Sequence, residues 1–264
     1  MEKRIIGRGL LAGVLGGVVA FLFARVLVEP VIERAIGYEE GVGAAHEAAH
    51  GGHSHGDGVE LFTRGVQANA GMGFGVLAFS VAMGLLLAVL FCATYGRVGA
   101  VSARMLSVLL AGGMFVSLWL VPALKYPPNP PAVSLDETIQ QRTLLYVLLV
   151  VLSAALLVGA VYLGRQLVAR LGTWNATLAA AGSYLVAVVV LMLVLPTIDE
   201  TPGPITDEAG LIIFDAFPAD DLYEFRLFTL GTQVAMWVTI GLVFGALTSK
   251  LLEGKRSNEV KIPA

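Results

Sequence analysis

Long runs of apolar residues alternate with short polar connections along most of this chain. Six runs have the length of membrane-spanning helices, at about residues 9–29, 66–95, 103–123, 143–163, 174–197 and 227–249. About 20 helical residues cross the ~30 Å hydrocarbon core of a bilayer, and a helix satisfies its own backbone hydrogen bonds there. The pattern predicts an all-α integral membrane protein with six transmembrane helices in one polytopic domain, residues 1–264.

The amino-acid composition supports a membrane protein and argues against several classes of function. Apolar residues make up 56% of the chain and charged residues 14%, against about 25% charged residues in soluble domains. The one cysteine, Cys92, excludes an internal disulfide and a CxxC motif. No nucleotide-binding loop occurs, and no histidine lies within a span to serve as a base. We therefore expect no enzyme activity, no organic cofactor and no nucleic-acid partner.

The distribution of charge orients the predicted helices. One side of the membrane would carry 11 basic residues against three acids, and the other side five basic residues against 16 acids. Basic residues collect in cytoplasmic segments. Both termini are therefore predicted to be cytoplasmic, in a multi-pass protein of the plasma membrane. Residues 30–65 and 198–226 become outer loops, the first rich in histidine and the second acidic.

The first outer loop holds every histidine of the chain. His46, His50, His53 and His55 lie within "AAHEAAHGGHSHGD", followed closely by Asp57. The first two are one helical turn apart, the glycines at 51–52 would end that turn, and the last two share one side of an extended segment. Imidazole suits Zn, Cu, Ni and Co better than Mg or Ca.

This cluster predicts a metal site whose ligands are the four histidines, with carboxylate oxygens from Glu47 and Asp57. Glu39 and Glu40 could add ligands or local negative charge. The competing interpretation is a polar loop with incidental histidines. The pattern indicates a divalent transition metal without identifying which one.

The outer ends of the spans follow a repeated pattern. Pro30, Pro122 and Pro196 close the odd-numbered spans, and Arg64, Arg142 and Arg226 precede the even-numbered spans. The pattern favours three parallel helical hairpins around a quasi-threefold axis, and parallel repeats in membrane transport proteins are related by an axis along the membrane normal. Prolines and charges are common at helix ends, so coincidence is the competing explanation.

Small and polar residues within the spans suggest how the helices pack. Glycines recur at intervals of four in the first span (Gly9, Gly13, Gly17) and in the sixth (Gly241, Gly245), which favours close helix approach. Arg25 and Glu29, four residues apart, are expected to pair. Four residues are candidates for lining a cation path, with ordinary packing as the alternative: Gln67, Asn69, Met72 and Gln233.

Several segments together resemble the CbtA family of cobalt transporter subunits. They are "LVEPVIERAIGYEE" with its following His/Ala/Gly loop, "ELFTRGVQANAGMGFGVLAF", "LVPALKYPPNPPAV", "LVLPTIDETPGP" and "QVAMWVTIGLVFGAL". The turn "YPPNPPA" lacks the Glu and the final Gly of the family's "LPPELPG", and "AIGYEE" departs from its "AExYE". The order of the segments is more specific than any one of them.

The resemblance implies cobalt uptake for corrin synthesis, beside a small His-rich single-span partner subunit called CbtB. Nickel is the alternative substrate, because affinity ordering places it close to cobalt. A metal-binding or scaffold subunit that feeds a separate permease is the alternative role. We expect the protein to be surrounded by membrane lipid. The sequence is also compatible with a homo-oligomer.

Overall fold

A computed structural model describes residues 1–50, 63–207 and 209–252 of the protein. The helices are α1 (Glu2–Phe23), α2 (Glu29–His50), α3 (Arg64–Val66), α4 (Met72–Thr94), α5 (Ala103–Met114), α6 (Val121–Lys125), α7 (Asp136–Val194) and α8 (Ala219–Leu252). Three π-helical segments, Ala24–Val28, Gln67–Gly71 and Phe115–Leu120, join α1 to α2, α3 to α4 and α5 to α6 without a break.

Five continuous helices in the described part of the chain are long and apolar enough to cross a membrane. They are Glu2–Glu47, Arg64–Thr94, Ala103–Lys125, Glu137–Val194 and Ala219–Leu252. The predicted class, a helical multi-pass membrane protein, agrees with this finding. The number of six spans and the quasi-threefold arrangement stay predictions.

The chain divides into two compact units. Unit 1 comprises Met1–Gly112, Asn129–Ala132 and Pro202–Ala264, and unit 2 comprises Gly113–Pro128 and Val133–Thr201.

Unit 1 is built around α1, which packs between α4 and α8. A methyl group on Gly13 would lie 2.7 Å from the backbone Cα of Val81, and one on Gly9 would lie 2.5 Å from the Gly84 carbonyl oxygen. The buried Ser80 hydroxyl donates a 2.7 Å hydrogen bond to the Gly13 carbonyl. The close approach expected from the glycine spacing is therefore confirmed for the first span.

Small residues also bring α8 against α5 within unit 1. A methyl on Gly241 would lie 2.9 Å from the Ala111 Cβ, and one on Gly245 would lie 3.4 Å from the Arg104 carbonyl oxygen. The buried hydroxyls of Ser107 and Thr248 lie 3.4 Å apart across the same interface. The glycines of the predicted sixth span thus act as contact points between helices.

Unit 2 contains the long helix α7, in which Gly172 alone has a non-helical conformation, with φ 74° and ψ 167°. A straight helix of this length would extend roughly 90 Å, yet residues on the two sides of Gly172 contact each other. The Ser153 and Tyr184 hydroxyls lie 2.7 Å apart, and Leu149 shares a buried cluster with Val188. The two arms of α7 therefore lie side by side, and the turn between them is helical except for one glycine.

Replacing Gly172 with alanine should destabilise unit 2 by about 1–3 kcal/mol, because only glycine adopts this conformation without strain. Thermal unfolding in detergent, followed by circular dichroism, measures the effect. Gly182→Ala is the matched control, since Gly182 lies in the same helix and a methyl there meets nothing within 4 Å. Equal stability of the two variants would contradict the prediction.

One of the predicted helix ends is wrong. Pro30 lies inside the continuous helix that runs to His50, whereas the helix that contains Pro122 ends at Lys125, close to the predicted end at about 123. A proline removes one backbone donor and crowds the carbonyl four residues before it, and a π-helical segment ends two residues before each of these prolines. The wider π turn accommodates the ring, so the helix continues. At Pro196 the expectation holds, because α7 ends at Val194.

The predicted acidic loop 198–226 contains regular structure. Strands β1 (Ile205–Thr206) and β2 (Ile212–Phe214) pair antiparallel, and α8 begins at Ala219, earlier than expected. The Asp207 carboxylate accepts hydrogen bonds from the backbone of Ala209 and Leu211, each 2.9 Å long. This small hairpin is a local exception to the all-α prediction.

Candidate functional site

The segment α2 extends the first helix towards the histidines, and ion pairs tie it to the start of α8. The Arg34 guanidinium contacts Asp221 at 2.6 Å and Glu224 at 2.5 Å. The hydrogen bond to Asp221 is the main cause that raises the pKa of Arg34. Arg34 and Glu224 are each nearly half exposed, and such pairs contribute only about 0.2–1 kcal/mol, so they orient α2 more than they stabilise it.

An aromatic cluster supplies the firmer attachment of α2. The ring of Tyr38 lies 5.3 Å from that of Phe214 and 4.9 Å from that of Phe217, and its hydroxyl donates to the Asp215 carbonyl at 3.1 Å. Burial, and secondarily the charge of Asp215, raises the pKa of Tyr38. A methyl on Gly41 would lie 2.6 Å from the Phe214 ring. The β-hairpin thus holds α2 in place.

The predicted metal ligands lie at or beyond the end of this anchored helix. His46 and Glu47 are exposed residues of α2, and His50 is its last residue. His53, His55 and Asp57 lie outside the described residues. Within 1–50, 63–207 and 209–252, no three His, Cys, Asp or Glu side chains come together in a group that could hold a metal ion. The four-histidine site stays a prediction.

A second polar group lies where α1 passes into α2, beside the start of α3. The Arg64 guanidinium pairs with the Glu29 carboxylate, whose side chain is only 7% exposed. The Arg25 Nε donates instead to the Asn69 side chain at 2.9 Å. The predicted pairing of Arg25 with Glu29 is therefore wrong. Arg25 lies within the π-helical segment Ala24–Val28, and Glu29 directly follows it. Each side chain bonds instead to a residue of the next helix, Arg25 to Asn69 and Glu29 to Arg64.

The other two arginines of the repeated pattern also bind residues that follow an odd-numbered span. In unit 2, Arg142 pairs with the buried carboxylate of Glu200 and donates to the Pro127 carbonyl. In unit 1, Arg226 donates to the Asn129 side chain at 3.0 Å. Each of these arginines thus joins distant parts of the chain within its unit, while the three-hairpin arrangement that the pattern favours stays a prediction.

The four candidate path residues have different environments. Gln67 and Asn69 belong to the π-helical segment before α4, and Asn69 is held by Arg25 and by a 2.8 Å bond to the Gly65 carbonyl. Met72 packs against the buried cluster formed by Ala24, Val28, Val31 and Phe225. Gln233 lies on α8 with a buried, unpaired Oε1. A path role for all four residues stays a prediction.

Buried polar atoms reveal a functional candidate that the sequence did not single out. In the described ranges, three buried side-chain atoms lack a hydrogen-bond partner: Glu29 Oε2, Gln233 Oε1 and Trp237 Nε1. All three belong to unit 1. In the sequence, the only sign of a functional role for Glu29 is that it is an acid at the end of an apolar run. The nearby Arg25 was the predicted partner of Glu29, and that prediction was wrong.

The long apolar helices define a helical multi-pass membrane protein. The first of them continues into an anchored segment that carries histidine. The sequence model of the CbtA family, described as "Probable cobalt transporter subunit (CbtA)", matches residues 2–249. The chain belongs to this family. Membrane association follows, and cobalt is the transported substrate that the family implies. No curated protein and no solved structure matches the chain.

Proposed function

We propose that this protein imports cobalt through the plasma membrane for corrin synthesis, after capture by the histidines of the outer loop. The observation that carries the proposal is the family match over residues 2–249, together with a histidine cluster in a chain that has no other histidines. His46, His50, His53 and His55 are the primary ligands, and Glu47 and Asp57 supply oxygen. Imidazole with carboxylate is a donor set suited to Co²⁺.

The anchoring of α2 supports this capture role. A metal site on an unattached loop would sample a large volume, whereas Tyr38 and Arg34 fix the helix that leads to His46. Ligands on a fixed helix bring a captured ion to the same place each time. The 16 acids assigned to the outer side would raise the local concentration of cations.

The proposed topology has six spans and both termini in the cytoplasm. The reversal at Gly172 supports two spans within α7, and the excess of basic residues at the termini and at the even-to-odd connections supports the orientation. A small His-rich single-span subunit of the CbtB type is the proposed partner.

Changing all four histidines to alanine tests the capture role. We expect uptake of radiolabelled cobalt at limiting concentration to fall at least about tenfold, because even residues that only support metal ligands are worth about tenfold in affinity. Uptake at saturating cobalt should persist, and it serves as the control for folding and insertion. Unchanged uptake at limiting cobalt would refute capture by these histidines. The same assay with nickel distinguishes the two metals.

Reconstitution separates a transporter from a scaffold subunit. Liposomes that contain the full chain alone should accumulate cobalt in their lumen. If they accumulate none unless a second subunit is added, the chain is a metal-binding component of a larger permease.

A further inference from the structure

An open pocket lies in unit 2 beside the first turns of α7. Its volume is about 300 Å³, at the lower end of the range of ~300–1,000 Å³ that is usual for small-ligand sites. Ile139 and Val147 in its wall are 46% and 54% exposed, so the pocket opens to the surroundings of the chain. Six residues line it: Ser134, Ile139, Arg142, Thr143, Tyr146 and Val147.

The pocket lies at the boundary of the hydrocarbon core. Arg142 is followed by residues 143–164, none of which is charged. That stretch is about 33 Å long as a helix, close to the ~30 Å thickness of the hydrocarbon core. Arg142 therefore stands where α7 leaves the hydrocarbon, and Tyr146 lies one helical turn further in. A ligand in this pocket is in contact with lipid headgroups on one side and acyl chains on the other.

The polar side chains of the pocket offer hydrogen-bond donors. The Arg142 guanidinium has five N–H donors, and it donates to the Glu200 carboxylate, to the Pro127 carbonyl and, at 3.5 Å, to the Ser134 hydroxyl. Ser134 accepts in that bond, so its own proton is available to a ligand. Within the described residues, no hydrogen bond engages the Tyr146 hydroxyl. The pocket thus suits a ligand that supplies acceptor oxygens.

The charge and the apolar lining narrow the choice of ligand. Arg142 is paired with the buried carboxylate of Glu200, so the pair is neutral and does not attract a free anion over a distance. A phospholipid presents the acceptor oxygens of its phosphodiester next to glycerol and acyl chains, which match the apolar side chains of Ile139 and Val147. Inorganic phosphate offers oxygens alone. Hydrogen bonds to a phosphate are charge-assisted and strong.

We infer that this pocket binds one membrane phospholipid, with the phosphodiester at the Arg142, Ser134 and Tyr146 donors and the apolar part along Ile139 and Val147. The bound lipid joins the start of α7 to the connection that precedes it, because Ser134 lies before the helix and Tyr146 lies within it. The inference does not depend on cobalt transport, since unit 2 alone supplies every residue that lines the pocket.

Native mass spectrometry of the delipidated full chain, with phosphatidylglycerol added, tests this site. The double variant Ser134→Ala/Tyr146→Phe removes two donors and leaves the Arg142–Glu200 pair intact. Its affinity for the first bound phosphatidylglycerol should fall at least about tenfold, because a hydrogen bond to a charged group contributes about a factor of ten or more. Diacylglycerol with the same acyl chains lacks the phosphate and should bind the parent chain at least about tenfold more weakly.

Tyr162→Phe is the matched control. Tyr162 lies on the same helix, is 65% exposed and does not line the pocket, so this variant should retain phosphatidylglycerol like the parent chain. Equal affinities of the double variant and Tyr162→Phe would overturn the inference. Equal binding of diacylglycerol and phosphatidylglycerol would overturn it as well. Displacement of the lipid by an excess of inorganic phosphate would indicate a site for free anions instead.

Thermal unfolding gives a second, independent measurement. A ligand that binds only the folded state raises the unfolding temperature in proportion to its occupancy. Phosphatidylglycerol added to the delipidated protein should therefore raise the unfolding temperature of the parent and of Tyr162→Phe, and raise that of the double variant clearly less. The same increase in all three proteins would refute a lipid held by Ser134 and Tyr146.

Discussion

Replacing Gly13 with leucine is expected to prevent stable packing of the first two long helices. A methyl at this position already lies 2.7 Å from the Val81 Cα and 2.8 Å from the Ser80 carbonyl oxygen, and backbone atoms cannot rotate away. Overpacking of a core typically costs about 1–3 kcal/mol, and a clash with backbone over a whole side chain should exceed that range. The Ser80 hydrogen bond to the Gly13 carbonyl would be lost as well.

The measurement is the free energy of unfolding in mixed detergent micelles, followed by circular dichroism. Gly7→Leu is the control on the same helix, because a methyl on Gly7 meets nothing within 4 Å. The control should unfold like the parent protein. A Gly13→Leu protein as stable as Gly7→Leu would show that α1 and α4 are not held together by this contact.

Replacing Arg142 with methionine is expected to destabilise unit 2 by about 3–5 kcal/mol. The change leaves the Glu200 carboxylate, whose side chain is 3% exposed, buried without its cation. Removal of one partner from a buried pair has this magnitude because the remaining charge is uncompensated. The Pro127 carbonyl also loses its donor. Thermal and denaturant unfolding of the purified chain measure the loss.

A double-mutant cycle separates the lost charge from lost packing. In a Glu200→Gln background no buried charge remains, so Arg142→Met should cost clearly less than in the parent. Equal costs in the two backgrounds would mean that the pair contributes nothing beyond the shape of the arginine side chain.

The helices were predictable because their cause is local. A run of apolar residues forms a helix in a bilayer wherever it stands in the chain, and intervals of four between glycines reveal the close contacts of Gly9 and Gly13. Arg64, Arg142 and Arg226 stood out for a similar reason, since each precedes a span by a similar distance, but the pattern did not predict their binding partners.

Other features depend on partners that are distant in sequence. Glu29 binds Arg64, 35 residues away, and Arg25 lies closer along the chain and bears the same charge. Asn69 and Arg64, the partners of Arg25 and Glu29, lie on the next helix, and the short spacing between Arg25 and Glu29 gives no signal for either contact. Tyr38 similarly contacts Phe214 and Phe217, about two thirds of the chain length away in sequence. Periodicity along one segment contains no information about such contacts.

The continuation of the first helix past Pro30 shows how a sound rule can fail. Proline usually marks a helix end because it lacks a donor, yet here the preceding π turn removes the conflict. The rule is right that proline lacks a backbone donor, but it takes no account of the π-helical backbone that precedes Pro30. As a result, the histidine segment begins on a fixed helix and not on a loop.

The turn at Gly172 has a practical consequence for experiments on this protein. Since helical residues stand on both sides of one glycine, the connection contains no spare length in which an epitope, a protease site or a reporter could be inserted. Such an insertion would push apart the side-by-side arms that Ser153 and Tyr184 join. Tags that map which face of the membrane this turn occupies should therefore be single substituted side chains, such as a cysteine at the exposed Trp174.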